Sequence, residues 1–190
     1  MTDNIVKDIE RIAPYKRNID GIEISRYIYS NYFIARKIVE LERKKILSEI
    51  SQRFQTNIYT RNPTPYLPYA NNMGGVDYYN VMSYTFRYSK INLNIILRSI
   101  RSGMPLRAID IMGVGGFLLT NYQSDFLIDF IPGEDLVMYD SVDDCISKCR
   151  YYLEHEEERK RIAFNGYRKV KEKYNYIYRI KQILDIVDSR

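Results

Sequence analysis

The stretch that decides the fold runs from Lys90 to Tyr122 and reads KINLNIILRSIRSGMPLRAIDIMGVGGFLLTNY. It contains a nearly continuous apolar run at 91–97 and a second one at 117–119. Such runs are typical of parallel strands that are buried on both faces of a sheet. Two parallel strands need a crossover connection, which residues 105–112 supply as a short helix. The stretch therefore predicts a strand, a loop, a helix and a strand, in that order.

Proline and glycine mark the two ends of this predicted helix. Pro105 suits the first helical position, because the N–H group that it lacks would have no helical partner there. Gly113 suits the end, since glycine readily adopts the left-handed turn that closes many helices. Arg98, Arg101 and Arg107 therefore gather where a strand ends and a helix begins.

The position of these arginines indicates an anion site. In an open α/β sheet, ligands bind beyond the carboxyl ends of the strands, and the unpaired N–H groups of a helix start favour a phosphate. Arginine adds a permanent charge and bidentate hydrogen bonds. Solvated surface arginines are the alternative, and spacing alone does not decide between the two. Gly113, Gly115 and Gly116 lack the context of a dinucleotide fingerprint and are better explained by a close turn between helix and strand.

Residues 98–122, RSIRSGMPLRAIDIMGVGGFLLTNY, resemble the signature of the CgeB-like (spore maturation protein B) glycosyltransferases. The resemblance extends from about Glu42 to Leu184 and is specific over 92–122. PGEDLVMYDSVDD at 132–144 and YYLEHEEERKRIAFNG at 151–166 are similar to the tail of wider GT-B families. The resemblance implies the C-terminal half of a GT-B fold, an α/β domain in which helices flank a Rossmann-like, mostly parallel sheet.

The resemblance also implies a binding site for a nucleotide sugar. Its residues would be Asn94, Arg98, Ser99, Gly103, Arg107, Asp110, Gly113 and Gly115. In GT-B enzymes, helix N–H groups and basic side chains usually stabilise the leaving nucleoside diphosphate without a metal. Arg98, Arg107 and the backbone beyond Gly103 would do so here, and Asp110 would hold the ribose. No metal, no cofactor and no particular catalytic residue is expected.

Two functions follow from this reading of the chain. The first is a glycosyltransferase donor domain that binds a nucleoside diphosphate sugar for metal-independent transfer. The alternative is a non-catalytic domain, a fragment or stand-alone half of a GT-B enzyme, that binds a nucleotide or a partner. Transfer in GT-B enzymes takes place between two domains, so we expect an acceptor-binding domain in cis or in trans and little activity without it.

Composition restricts the class of protein further. At 190 residues, of which 45% are hydrophobic and 28% charged, the chain has the composition of a globular protein with room for one domain. The net charge is +5, but the basic residues are spread among acidic ones. This distribution argues against binding of nucleic acid and leaves contact with a membrane surface open. No apolar run reaches the ~20 residues of a membrane helix, and no signal peptide is visible. We therefore expect a cytoplasmic protein.

Cysteine and histidine are too few for a structural zinc site. Cys145 and Cys149 are the only cysteines and His155 is the only histidine, so we expect reduced thiols. The nineteen tyrosines are unusual in a chain without tryptophan. Pairs such as Tyr78–Tyr79 fit either a sugar or base pocket or simple packing.

The remaining patterns predict the order of elements along the chain. Residues 1–22 are expected to form a helix and linker, and residues 23–190 the donor-binding domain, which begins with one or two helices. Four strands of a mostly parallel sheet of about four or five are expected at 56–60, 92–97, 117–121 and 136–139. A proline-rich loop follows the first of these, and further helices are predicted at 78–89, 142–154, 157–174 and 176–188. The last two helices should pack through Ile162, Val170, Ile177, Ile180 and Leu184.

Overall fold

The amino-terminal part of the chain is helical in the computed structural model, which describes residues 2–14, 25–96 and 103–188. Helix α1 spans Thr2–Ile12. Helix α2 (Ser25–Ile28), a π-helical segment (Tyr29–Ile34) and helix α3 (Ala35–Ser51) then follow one another without a break. The Tyr29 hydroxyl donates to the carbonyl oxygen of Ala13 at 2.7 Å, which attaches the end of α1 to this long helix.

Five short strands form two parallel sheets. Strands β1 (Thr56–Ile58) and β2 (Ala70–Asn72) pair with each other. Strands β3 (Asn92–Asn94), β4 (Leu118–Asn121) and β5 (Val137–Tyr139) form a three-stranded sheet in the order β3-β4-β5. Every pairing is parallel, as the sequence predicts. The prediction of a single sheet is wrong, however, because β1 pairs with β2 and not with the strands of the larger sheet.

Two strands differ from the sequence-based expectation. Strand β2 lies in the stretch predicted as a loop. It was missed because its asparagines have low strand propensity, and only the pairing with β1 makes these residues a strand. Strand β3 ends at Asn94, shortly before the predicted end at 97. Its ladder stops where the Ile96 N–H donates to the side-chain oxygen of Asn121 at 2.7 Å.

Helices connect the strands of the larger sheet. Helix α4 covers Met82–Tyr88 and α5 covers Leu106–Gly113, and a 3₁₀ helix at Ser124–Ile128 follows β4. Helices α6 (Val142–Glu154), α7 (Glu156–Lys173) and α8 (Tyr176–Asp188) follow β5. These ranges agree with the predicted helices, except that α4 begins later than expected. Asp77 instead caps a turn, in which its carboxylate accepts from the Asn80 N–H at 2.7 Å.

The three-stranded sheet is covered by helices on both faces. Alternate side chains of a strand point to opposite faces, so Leu118 and Leu119 of β4 belong to different clusters. One cluster joins the sheet to α3 and α6 through Ile46, Ile50, Leu119, Val137, Cys145 and Cys149. The other joins it to α5 and α7 through Ala108, Ile111, Met112, Leu118, Phe126 and Val170. This is the α/β architecture that the sequence predicts.

The predicted packing of the last two helices is correct for α7 and wrong for α8. Ile162 and Val170 of α7 are buried. Ile177 of α8, in contrast, is 83% exposed, and Ile180 and Leu184 are each 54% exposed. An apolar stripe at helical spacing predicts an amphipathic helix, but it does not say whether another element of the same chain covers the stripe.

Candidate functional site

The candidate site lies at the edge of the sheet where the parallel strands β3, β4 and β5 have their carboxyl ends. From β3 the chain continues through residues 97–102 to Gly103 and the start of α5. The candidates Arg98 and Ser99, together with Arg101, lie outside the described residues. The structure describes the two ends of this connection, and side chains from neighbouring elements hold both.

The first end of the connection is held from two sides. Asn121, the last residue of β4, accepts from the Ile96 N–H through its side-chain oxygen at 2.7 Å. Arg43 of α3 donates from Nη2 to the carbonyl oxygen of Ile95 at 2.9 Å. A helix and a neighbouring strand therefore fix the direction in which the chain leaves β3.

The second end is held by Asp125, which sequence reasoning missed. The Gly103 N–H donates to the Asp125 carboxylate, and Gly103 has a φ of +92° that favours glycine. Asp125 lies in the 3₁₀ helix just after β4, so the parallel topology places it at the same edge as the start of α5. Its position shortly after an expected strand end was the signal in the sequence.

The start of α5 is suited to an anion. Pro105 occupies the N-cap position without a side-chain hydrogen bond, and the first turn contains no acidic residue. Helix α6 differs, because the hydroxyl of Ser141 accepts from the Asp144 N–H at 3.1 Å and acidic side chains occupy its first turn. Of the two helix starts, that of α5 is therefore the one whose N–H groups and partial positive charge suit an anionic ligand.

Arg107 and Asp110 lie one turn apart on the same side of α5 and face the segment before β3. The Tyr78 hydroxyl donates to Oδ2 of Asp110 at 3.0 Å. The Arg107 guanidinium contacts the sulfur of Met82 and lies 5.3 Å from the centre of the Phe86 ring. A cation and a hydrogen-bonded carboxylate thus occur side by side next to an uncapped helix start.

Tyr78 connects this pair of residues to the loop after β2. The hydrogen bond to Asp110 raises the pKa of Tyr78, because an ionised tyrosine would lose that bond and meet a neighbouring carboxylate. The Tyr78 and Tyr79 rings meet edge to face with their centres 5.2 Å apart, and both rings are exposed. A carboxylate that can accept from hydroxyl groups and two exposed rings are together suited to a ribose and a base.

Asn94 lies near the same edge, but its amide is used inside the sheet. The residue is buried, and its Nδ2 donates to the hydroxyl of Thr120 on β4 at 3.2 Å. Asn92, two residues earlier, similarly donates to the carbonyl oxygen of Phe86 at 2.9 Å. Both asparagines join the strand to its neighbours on the α5 side of the sheet.

Gly113 and Gly115 lie at the far end of α5 from the other candidates. Eight helical residues separate the two ends by about 12 Å. Gly115 has a φ of +77°. Its N–H donates to the carbonyl oxygen of Met112 at 2.9 Å, and the Gly116 N–H donates to the carbonyl oxygen of Ile111 at 2.9 Å. This pair of hydrogen bonds is the Schellman closure of a helix. The left-handed residue that closes α5 is therefore Gly115 and not Gly113, as was expected, because the helix continues through Gly113. A close turn between α5 and β4 nevertheless explains the glycine cluster.

A second polar cluster lies beside the start of α5. Lys173, at the end of α7, forms a 2.7 Å ion pair with Asp129, which lowers the pKa of that carboxyl group. The Tyr174 hydroxyl also donates to Asp129 and lies 3.7 Å from the sulfur of Met104. Residues far apart in sequence meet here, so no local pattern could have predicted the cluster.

Residues 36–185 match the model of a protein family described as glycosyl transferase-like. The chain belongs to this family. The match covers most of the chain and includes all of the candidate residues, and it confirms the glycosyltransferase identification made from the sequence. The assignment to the CgeB-like group is finer than the family match and stays a prediction. No curated protein matches this glycosyltransferase-like chain.

Neither a membrane span nor a metal centre is found among residues 2–14, 25–96 and 103–188. No helix in these ranges combines the length and the apolar character needed to cross a membrane. The same ranges contain no group of three or more His, Cys, Asp or Glu side chains that could hold a metal ion. Cys145 and Cys149 are buried free thiols of α6.

Proposed function

We propose that this chain is the donor-binding domain of a CgeB-like glycosyltransferase of the GT-B type. It binds a nucleoside diphosphate sugar beyond the carboxyl ends of β3 and β4. The supporting observation is the placement of Arg107 and Asp110 on the same side of α5, in a chain that belongs to the glycosyl transferase-like family. The proposed domain covers residues 23–190, preceded by a helix and linker at 1–22.

The diphosphate is bound by the start of α5 and by arginine. The N–H groups of the first helical turn and the Arg107 guanidinium stabilise the negative charge that develops as the sugar leaves. Arg98, Ser99 and the backbone beyond Gly103 complete this part of the proposed site. Since these groups supply the positive charge, we propose that transfer needs no metal ion.

The nucleoside is bound by Asp110 and its tyrosine neighbour. One carboxylate oxygen of Asp110 accepts from Tyr78, and the carboxylate has further acceptor capacity for the ribose hydroxyls. The exposed ring of Tyr79 offers a flat surface for the base. Asn94, Gly113 and Gly115 support the site indirectly, through the sheet and the turn that hold α5 in place.

Sugar transfer additionally needs an acceptor-binding domain, supplied in cis or in trans. The exposed apolar face of α8 supports this, because large exposed apolar patches mark interaction surfaces. The same face favours the second candidate function, a domain that binds a nucleotide or a partner without catalysing transfer. Nucleic acid is not among the proposed partners, and the cytoplasmic location stays a prediction from the sequence.

Calorimetric titration with a panel of nucleoside diphosphates tests the proposal. Binding of at least one of them should persist in the presence of a chelator and weaken when Arg107 or Asp110 is replaced. If the folded chain bound no nucleoside diphosphate, the donor-domain assignment would be wrong. Binding without transfer in the presence of an acceptor-binding domain would favour the non-catalytic alternative.

A further inference from the structure

The segment from Gln55 to Phe86 is an exposed part of the surface that carries almost no charge. Only Arg61 and Asp77 are charged within it, whereas 28% of the whole chain is charged. The segment is instead rich in tyrosine and asparagine, and Leu67 is the one residue in it that is buried. Free protein surfaces normally carry many charged side chains. An exposed surface that lacks them indicates a binding site for an uncharged partner.

The β1–β2 sheet brings aromatic and amide groups of this segment close together. Asn57 is paired with Asn71, and the Met73 N–H continues the ladder by donating to the carbonyl oxygen of Ile58 at 2.8 Å. Tyr59 directly follows β1 and Met73 directly follows β2. Tyr69 lies in the turn just before β2, in which the Ala70 N–H donates to the carbonyl oxygen of Leu67 at 3.2 Å. We call this set of neighbouring residues the Asn/Tyr face, which consists of Asn57, Tyr59, Tyr69, Asn71 and Met73.

Each member of the Asn/Tyr face is open to solvent. Tyr59 is 39% exposed, Tyr69 65% and Met73 55%, and the two asparagines are also exposed. None of the five side chains carries a charge. Such a surface, aromatic and polar but neutral, does not attract a phosphate or a carboxylate, and it lacks the basic groups by which proteins bind nucleic acid.

The two amides of the Asn/Tyr face retain hydrogen-bonding capacity. Asn71 donates from Nδ2 to Oδ1 of Asn57 at 3.2 Å. Within the part of the chain that the structure describes, this is the one hydrogen bond that the two amide side chains make, so the Asn57 donor and the Asn71 acceptor remain available. Asn72 lies on the opposite face, and its amide is used within the protein. Its Nδ2 donates to the carbonyl oxygen of Asn62 at 3.0 Å, and its Oδ1 accepts from the Gly74 N–H at 2.9 Å.

We propose that the Asn/Tyr face binds a neutral saccharide. One side of a pyranose ring presents C–H groups, which pack on a tyrosine ring, while its hydroxyl groups both donate and accept and thus match an amide. Two exposed rings next to two amides provide both kinds of contact on one open surface. A linear saccharide can lie along such a surface without entering a cavity.

The Asn/Tyr face lies close to the proposed donor site. Tyr78 lies five positions after Met73, so their Cα atoms are at most about 18 Å apart. Tyr78 in turn contacts Asp110. A saccharide on the Asn/Tyr face thus lies near the donor site, while the acceptor hydroxyl is still presented by the acceptor-binding domain. This relation to the donor site rests on the proposed function, whereas saccharide binding itself does not.

Affinity electrophoresis tests the proposal with defined probes. The chain is run through native gels that contain a soluble α-glucan, β-glucan, mannan or xylan, and through gels that contain heparin or polygalacturonate. We expect at least one neutral polysaccharide to retard the chain in a salt-independent manner. Replacing both tyrosines of the face, Tyr59→Ala and Tyr69→Ala, should weaken that retardation at least tenfold. Tyr176→Ala, at an exposed position of α8, is the matched control and should leave the retardation unchanged.

Several outcomes would overturn the proposal. These are unretarded migration in all neutral gels, retardation by the anionic polymers alone, and full retardation of the double alanine variant. A parent chain that sediments as a dimer, and a double variant that sediments as a monomer, would assign the face to a second copy of the chain. If the double variant loses its cooperative thermal transition, Asn71→Ala carries the same expectation with a smaller structural change. Nucleoside diphosphate titration of the same samples reports separately on the donor site.

Discussion

The Tyr78 hydroxyl donates a 3.0 Å hydrogen bond to Asp110, and this contact joins the loop after β2 to the middle of α5. It holds one oxygen of the carboxyl group in place. A carboxylate fixed in this way is suited to accept hydrogen bonds from the two hydroxyl groups of a ribose. Because inorganic pyrophosphate has no ribose, it separates this role from that of the phosphate site.

Asp110→Ala should weaken the binding of a nucleoside diphosphate but not that of pyrophosphate. A hydrogen bond to a charged group contributes about 1.5–3 kcal/mol, so the nucleotide should bind roughly ten- to a hundredfold more weakly. Parallel calorimetric titrations with the two ligands measure the difference. An equal loss for both ligands would instead indicate that the substitution disturbs the start of α5.

Arg107→Ala should weaken the binding of both ligands, because we propose that the Arg107 guanidinium binds the diphosphate. The expected loss is again about 1.5–3 kcal/mol. Arg168 provides a matched control, since its guanidinium also lies over a phenylalanine ring, that of Phe164 on α7, at 6.0 Å from the ring centre. Arg168→Ala should leave both affinities unchanged. If the two alanine variants bound alike, Arg107 would be excluded from the site.

Tyr139 and Tyr174 should respond in opposite directions to loss of the hydroxyl group. Tyr139 is buried, and its hydroxyl has no hydrogen-bond partner among the described residues, so Tyr139→Phe removes an unsatisfied polar group. The free energy of unfolding should rise by about 1 kcal/mol. The Tyr174 hydroxyl donates to Asp129, so Tyr174→Phe should lower it by a similar amount. Urea denaturation of both variants provides the measurement, and destabilisation by Tyr139→Phe would contradict the prediction.

The pair formed by Asp129 and Lys173 should make stability depend on pH in the acidic range. The Asp129 carboxylate accepts hydrogen bonds from Lys173, which has the larger effect, and from Tyr174. These bonds hold the pKa of Asp129 below its ordinary value of 3.8. The folded state therefore binds this proton less readily than the unfolded chain. The stabilisation is fully present above the ordinary pKa and is lost as the pH falls through the lower pKa of the folded state.

Asp129→Asn should accordingly reduce the amount by which the free energy of unfolding falls between about pH 5 and pH 2. Lys173→Met, which removes the cation, should act in the same direction. Denaturant midpoints across this pH range measure the effect. If Asp129→Asn left the slope unchanged, the ion pair would contribute nothing to acid stability.

The central part of the fold was predictable because the relevant signals are local. Apolar runs predicted β3 and β4, and Pro105 and the glycine cluster predicted the ends of α5, although Gly115 and not Gly113 adopts the left-handed conformation. The strand β2 was missed, since only its pairing with β1 makes residues such as Asn71 and Asn72 extended. The stripe on α8 was assigned to the core because spacing reports amphipathicity and not the element that covers it.

The candidate site was predictable where chain topology or the family resemblance places a residue. Arg107 follows from the rule that ligands bind beyond the carboxyl ends of parallel strands, whereas Asp110 came from the resemblance. Asp125 and Asp129 were missed, although both come soon after β4, because their partners Gly103 and Lys173 are distant in sequence. Asn94, Gly113 and Gly115 were named as ligand-binding candidates, but in the structure they contact neighbouring parts of the chain. The sequence alone does not distinguish a residue that binds a ligand from one that makes such contacts.

The exposed apolar face of α8 leads to a prediction about sugar transfer. The proposed mechanism needs a donor held by this domain and an acceptor presented by another. Fixing both reactants contributes roughly 7–11 kcal/mol in favourable cases, and a lone donor domain fixes only one. The chain alone should therefore bind a nucleotide sugar, hydrolyse it slowly at most, and transfer sugar to a defined acceptor only when an acceptor-binding domain is added.

The α8 face allows a sharp test of this requirement. In the presence of an acceptor-binding domain, Ile177→Ser and Leu184→Ser should lower transfer at least tenfold while nucleotide affinity stays the same, because both side chains are exposed and lie outside the proposed donor site. Lys181→Ser, at an exposed polar position of the same helix, is the control and should leave transfer unchanged. Radiolabelled donor distinguishes transfer from hydrolysis. Multiple turnovers of transfer by the chain alone would show that it needs no second domain, and full activity of both serine variants would show that α8 does not contact one.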